Sequence, residues 1–291
     1  MRTSALAAGA LALAVASVAS AGGTRAIESG RIDVGRGVHG IVLGMTRAQV
    51  VARLGRPLYE NANGYMQYSR RHLFDVYARG RPRRVDLVTA AGPRFCLPHR
   101  ICTLRKRSLR RLLRAYGGRV RVELTAADPL EPNYVLRRRF RGRATNTAFA
   151  PGGGRLGQVY VAFAAPGEPV FSDPPRAARR RALPLDATTA GALRAAYCRD
   201  VVAARTCADP VFTGPLQGRV CLPLETGRQV FCDTYRACRL RFGKREWARA
   251  GFWLPQTGAE GTTTWFRRGR RGWRAYPELI VGRRLATALR C

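Results

Sequence analysis

The residues with most chemical potential in this sequence are its eight cysteines, Cys96, Cys102, Cys198, Cys207, Cys221, Cys232, Cys238 and Cys291. A thiolate can attack a carbonyl, ligate a metal or exchange with a disulfide, and each use needs neighbours of a particular kind. Redox exchange favours a CxxC pair, whose geometry lowers a thiol pKa, and the sequence has none. Zinc would need a thiolate-rich set, since His39, His72 and His99 are the only histidines, and the spacings fit neither a finger nor a ribbon. His99 between Cys96 and Cys102 comes nearest to a cysteine–histidine hydrolase, but a bond between those cysteines would leave no nucleophile. Asp128 and Glu131 could serve as paired carboxylates on a glycan, although Pro129 and Pro132 beside them describe a solvated turn. Neither GxSxG, HExxH nor a phosphate-binding loop occurs. No catalytic residue, metal site or cofactor is therefore assigned, and an unrecognised hydrolase ranks third among the functional readings.

An even cysteine count argues for disulfides in an exported chain. Export is also what the N-terminus describes: Arg2, an apolar run over 5–19 and Ala19-Ser20-Ala21 as an A-x-A site read as a signal peptide at 1–21. The run is shorter than the roughly twenty residues a spanning helix needs, no lipid-accepting cysteine follows it, and no later segment could cross a bilayer. The expected location is secreted or extracytoplasmic, in a bacterial cell envelope. Phe95-Cys96-x3-Arg100-x-Cys102-x-Leu104-Arg105 is echoed by Phe231-Cys232-x3-Arg236-x-Cys238-x-Leu240-Arg241. Each echo can close its own small loop: Cys96 with Cys102, which has no other cysteine in its domain, and Cys232 with Cys238. The other four cysteines leave three pairings open.

The formal charge is +34, from 52 basic and 18 acidic residues, and every base except Lys106 and Lys244 is arginine. A GC-rich genome that writes Arg for Lys would give such a surface without function. The same charge would also attract polyanions, because a field of this sign raises encounter rates with acidic partners. For an exported chain these are wall polymers, lipopolysaccharide or acidic proteins rather than chromosomal nucleic acid.

Positioning falls to the secondary elements. Met45-Thr46-x-x-Gln49 opens a helix with a capping box and a Met45–Val50 staple, and Gly55 and Pro57 end it. Strand-like runs follow at 65–69, 73–77 and 85–88. The order then recurs: Ser108 caps a helix carrying Leu109, Leu112, Leu113 and Tyr116, Gly117-Gly118 stops it, and strands follow at 120–124, 134–140, 145–149 and 158–163, with Gly152-Gly153-Gly154 as the last turn. Prolines and Arg179-Arg180-Arg181 mark 166–185 as a linker. Beyond it, a helix over 187–205 and strands at 247–254, 262–267 and 272–276 form a domain whose core would hold Trp247, Phe252, Trp253, Trp265, Phe266 and Trp273. The fold class is α+β: tandem helix-plus-antiparallel-meander units over 32–165, then a small disulfide-linked α+β domain over 186–291.

Gly40 to Thr46 with Val50, Leu54-Gly55 and Pro57, followed by Tyr68, Leu73, Val76, Tyr77 and Gly80, resembles the SmpA/OmlA (BamE-like) pattern. Two such units in tandem are similar to the β-lactamase-inhibitory-protein arrangement. The resemblance covers about 32–165 and implies a helix layer on an antiparallel sheet that binds other envelope proteins without catalysis. The chain departs from it by lacking the lipid-bearing cysteine and by replacing the second glycine-rich entry with 95–102. In strand 134–140, alternation sends Arg137 and Arg139 to one face and Arg138 to the other. With Tyr134, Phe140, Arg141 and Tyr160 they form the candidate arginine–aromatic surface for an acidic protein partner. The alternative is diffuse polyanion binding by charge alone.

Overall fold

The structure is a computed structural model, and it describes residues 26–125, 132–166, 168–201, 215–216, 218–223, 230–235, 237–252 and 262–290. The expected signal segment, Asp128, Glu131, Trp253, Cys207 and Cys291 lie outside them. The first part of the chain runs β1 (Gly30–Asp33), β2 (Gly37–Val38), β3 (Ile41–Val42), α1 (Arg47–Leu54), β4 (Tyr59–Glu60), β5 (Tyr65–Gln67), β6 (Leu73–Arg79), β7 (Arg84–Ala91), β8 (Phe95–Leu97) and β9 (Ile101–Cys102). It continues through α2 (Ser108–Tyr116), β10 (Val120–Thr125), β11 (Asn133–Phe140), β12 (Arg143–Gly152), β13 (Arg155–Phe163), β14 (Val170–Phe171) and β15 (Arg180–Leu183). The remainder is α3 (Ala187–Asp200), β16 (Pro215–Leu216), β17 (Gly218–Pro223), β18 (Val230–Tyr235), β19 (Cys238–Phe242), β20 (Arg245–Phe252), β21 (Thr262–Gly269), β22 (Gly272–Tyr276), β23 (Glu278–Gly282) and α4 (Arg283–Ala288).

A ten-stranded sheet, ordered β14-β23-β10-β11-β12-β13-β7-β6-β5-β4, dominates the molecule. Its strands come from runs in which buried and half-exposed residues alternate, as a sheet with one wet face requires. Met66, Phe74, Val76, Val88, Ala90, Leu136, Phe149, Val159 and Val161 all point to one face and are buried in a single core. That face is covered by Val50 and Leu54 of α1, by Leu112 of α2, and by a five-stranded sheet, β3-β2-β1-β8-β9, which adds Ile32, Val38, Ile41, Phe95 and Ile101. A helix followed by four strands thus occurs twice in the chain, and the last strands of the two runs, β7 and β13, pair antiparallel.

Local signals explain where the elements start and stop. Thr46 caps α1 as expected: the Gln49 amide donates to Thr46 Oγ1 at 3.3 Å, and the Thr46 amide donates to Gln49 Oε1 at 2.9 Å. Ser108 behaves differently. It is the first residue of α2, Arg107 takes the cap position in the left-handed region, and the Ser108 hydroxyl accepts from the Leu156 amide at 2.8 Å. The expected cap instead ties the helix to β13. Gly153 and Gly154, with φ of 56° and 75°, form the two-residue turn between Gly152 and Arg155, a backbone that side-chain-bearing residues seldom adopt.

The later part of the chain is woven into the first. Within the expected linker, β14 pairs parallel with β23 and β15 pairs antiparallel with β19. The chain returns at its end to lay β23 along β10, with Val122 opposite Val281. A six-stranded sheet, β15-β19-β20-β21-β22 with β16 on β20, has two apolar faces. Trp247 and Trp265 pack with Phe171, Val122, Leu279 and Leu285 on one side, while Ala248, Phe266 and Trp273 pack with Leu193 and Tyr197 of α3 on the other. The tryptophans expected in the core are buried wherever they are described, at Trp247, Trp265 and Trp273. Cys96 and Cys102 are opposite each other in β8 and β9 and bonded, and Cys198 and Cys238 are also in disulfides. The β17–β18 register sets Cys221 opposite Cys232. Among the described residues no helix is long and apolar enough to cross a membrane.

Candidate functional site

The second face of the long sheet carries the residues between the buried ones: Tyr59 on β4, Tyr65 and Gln67 on β5, Asp75 and Tyr77 on β6, Leu87 and Thr89 on β7, Tyr160 on β13, Asn146 on β12, and Arg137 and Arg139 on β11. Register places them together: Tyr65 opposite Tyr77 and Tyr77 opposite Leu87 in one row, with Tyr59 opposite Gln67, Asp75 opposite Thr89 and Thr89 opposite Tyr160 in the next. Tyr59 is 53% exposed, and Tyr65, Tyr77, Leu87 and Tyr160 are half-buried. Both helices and the small sheet contribute to the core on the opposite face.

The tyrosines form a connected set. The Tyr59 and Tyr65 rings lie 5.9 Å apart and the Tyr65 and Tyr77 rings 5.1 Å, within the range where aromatic pairs attract. Between them Asp75 and Thr89 are buried at the floor. The Tyr65 hydroxyl donates to Asp75 Oδ1 at 3.3 Å. Burial raises the Asp75 carboxyl above its ordinary value, against the hydrogen bonds from Tyr65 and Thr89. Burial and the neighbouring Asp75 push the Tyr65 hydroxyl up to about 12, and burial raises Tyr77 and Tyr160 as well. These three phenols stay protonated at any physiological pH, each a polar tip on an apolar ring, with the Tyr65 proton spent on Asp75. The Tyr160 hydroxyl donates to Gln158 Oε1 at 2.7 Å.

Toward β11 the face closes over: Val135 and Ala148 are buried with Ile280 of β23, Tyr160 packs against them, and polar groups lie alongside. Arg137 pairs with Glu168 at 3.0 Å, and the Asn146 amide donates to the same carboxylate at 3.0 Å. The segment after β13 therefore crosses the sheet there. Further along, the Asn133 amide donates to Glu123 at 2.9 Å, next to Glu278.

Of the six residues expected to form the surface, three share this face: Arg137, Arg139 and Tyr160. Arg137 is held by Glu168, and Arg139 donates to the carbonyl of Gly142 at 3.0 Å. Tyr134 and Phe140 occupy alternate positions of β11 and pack against the core on the covered face. Arg141 sits in the β11–β12 turn, its guanidinium 5.2 Å from the Phe140 ring. The expected surface is thus split by the period of its own strand, since Tyr134 and Phe140 differ in parity from Arg137 and Arg139. Tyr59, Tyr65 and Tyr77 were missed. The spacing that pairs Tyr65 with Gln67 and Asp75 with Tyr77 was present in the strand runs and could have placed them. The Cys96–Cys102 bond removes the nucleophile from the cysteine–histidine alternative. Among the described residues no cluster of three His, Cys, Asp or Glu side chains could hold a metal. No protein-family model matches the chain, and neither a curated protein nor a solved structure does.

Proposed function

We propose that this chain is a non-catalytic extracytoplasmic protein that binds another, acidic protein through the tyrosine-bearing face of its long sheet. One observation carries the reading: Tyr59, Tyr65, Tyr77 and Tyr160 stand on the face opposite the helix layer. Tyrosine supplies large, rigid contact area with a polar tip at low entropic cost, which is why it recurs in protein-binding surfaces. The bonded cysteines support a location outside the cytoplasm. In this reading α1 with β4 to β7 and α2 with β10 to β13 are two copies of one unit, joined through β7 and β13. That is the arrangement the BamE-like and β-lactamase-inhibitory-protein resemblance implies. The sealed opposite face and the disulfides would hold the sheet rigid, lowering the ordering cost of association.

The test is a photo-reactive residue at position 77, compared with one at position 114 on α2, in the full chain exposed to envelope extract. A defined protein cross-linked at 77 but not at 114, and lost in Tyr65→Ala, supports the face. Truncating one central tyrosine should weaken binding at least tenfold, as interface anchors do. Equal cross-linking at both positions would refute it. The +34 charge favours a second reading, diffuse polyanion binding. Its signature is affinity that collapses between moderate and high salt and ignores Tyr65.

A further inference from the structure

On the opposite side from the tyrosines, beside the Cys96–Cys102 bridge, lies a groove of about 690 Å³. Exposed Pro98 and the disulfide give it an apolar floor, with Leu97 buried in the core beneath, and Arg100, Arg105, Lys106 and Arg111 line its rim. All four cations are exposed, and no carboxylate lines the groove. Among the described residues none of the four has an ion-pair partner; Arg105 spends one N–H on the carbonyl of Pro93 at 3.2 Å. The sequence reinforces the imbalance: between Asp86 and Glu123 there are ten basic residues and no acidic one. The backbone holds these charges close. His99, Arg100, Leu104 and Arg107 are left-handed, with φ of 64°, 54°, 57° and 60°, a conformation side-chain-bearing residues seldom adopt. This winds the loop tightly around the bridge. The α2 helix then begins at this cluster with no acid in its first turn, so its positive end adds to the like charges rather than offsetting them. Elsewhere the fold treats its arginines differently: Arg47 of α1 meets Glu60 bidentately, at 2.6 and 2.7 Å.

We propose that this groove is a binding site for a phosphate ester, its multiply charged oxyanion taken by the rim cations and its organic part laid on Pro98 and the disulfide. Guanidinium and ammonium donors around one concavity suit a tetrahedral oxyanion, which can accept from several of them at once. The proposal does not depend on the tyrosine face.

The test is titration calorimetry of the full, oxidised chain with glycerol phosphate, inorganic phosphate and acetate at one ionic strength. Saturable binding of the phosphates but not of acetate is expected. Arg105→Ala/Arg111→Ala should weaken it at least tenfold, whereas Arg270→Ala/Arg271→Ala, which removes the same charge from an exposed turn, should leave it within about twofold. Lys106→Glu serves as a second variant should the first fold poorly. Tighter binding of the ester than of inorganic phosphate places its organic part on the apolar floor and supports the site. Equal weakening by both arginine pairs would show diffuse charge, and binding of acetate as tight as phosphate would show a site without oxyanion selectivity. Either result overturns the proposal, as does inorganic phosphate binding more tightly than the ester.

Discussion

Glu123 makes a sharp test of how the end of the chain is docked, because its side chain is half-buried where β23 joins the long sheet. It lies on β10 opposite Ile280, one diagonal step from Glu278. Burial pushes its carboxyl up to about 7. The Asn133 amide opposes this, while the Glu278 side chain, hydrogen-bonded to it, and Glu168 add to it. Since the folded value exceeds the ordinary 4.5, the folded chain keeps a proton that the unfolded chain has released between pH 4.5 and 7, and stability must fall as the pH rises through that window. The difference corresponds to roughly 3 kcal/mol if fully expressed, and partial screening at a half-buried position reduces it to about 1–3 kcal/mol. Glu123→Gln mimics the protonated acid in shape and in its single charge state. Denaturant titrations at pH 5 and pH 8 should therefore show the variant close to wild type at pH 5 and more stable by about 1–3 kcal/mol at pH 8. A variant that is no more stable than wild type at pH 8, or that keeps the wild-type decline between 4.5 and 7, would refute the half-buried-carboxylate account of this junction.

Three further outcomes follow from local geometry. Ser108→Ala should cost about 1–3 kcal/mol by leaving the buried Leu156 amide without an acceptor, at least as much as the ~1 kcal/mol expected for Thr46→Ala at a true cap, and denaturant midpoints compare them. Gly64→Ala should destabilise by about 2–4 kcal/mol, because φ is 81° there and a Cβ would press on the Ala78 carbonyl; thermal unfolding reads the loss. Burial alone would raise Glu246, but hydrogen bonds from Arg241, Arg239 and Arg268 outweigh it and hold the carboxyl at about 2. That stability is present above pH 4.5 and lost as the pH falls toward 2, so Glu246→Gln should be weaker than wild type at pH 7, with the gap closing across that acid range.

Much of the long sheet could be read from the sequence because its strands obey a simple period. The runs at 65–69, 73–77, 120–124 and 158–163 correspond to β5, β6, β10 and β13, and both helices end at their expected glycines, Gly55 and Gly117. What escaped were pieces whose burial is decided by distant partners. The two-residue strands β2, β3 and β9 are too short to show a period. β14 and β15 sit in a proline-rich stretch whose composition describes a linker, yet Phe171 is buried against Trp247 and Tyr276. Glu278-Leu279-Ile280-Val281 is a plain strand sequence, but nothing local says that it pairs with β10 across more than 150 residues. The candidate surface is divided for a different reason: residue types were grouped by proximity in sequence, and a strand separates neighbours onto opposite faces.

The distribution of acids gives the arginines a meaning that their number does not. With 18 carboxylates against 52 bases, most cations must go without a counter-ion, so the acids that do pair with arginine show where one is worth having. They collect at joints: Glu60 fastens α1 to β4, Glu168 holds the crossing segment to β11, Asp200 at the end of α3 takes Arg199 and Arg274, and Glu246 takes three arginines from two neighbouring strands. A cation paired at such a joint is explained by folding. The groove beside the Cys96–Cys102 bridge is the reverse case, with four rim cations, a like-signed helix end and no acid within it. Folding gains nothing from concentrating repulsion there, since exposed like charges oppose one another even through solvent. Neutralising Arg105 and Arg111 should accordingly leave unfolding midpoints unchanged or raised, whereas neutralising Arg239 or Arg241 should lower them; the opposite order would mean that the groove cations serve the fold.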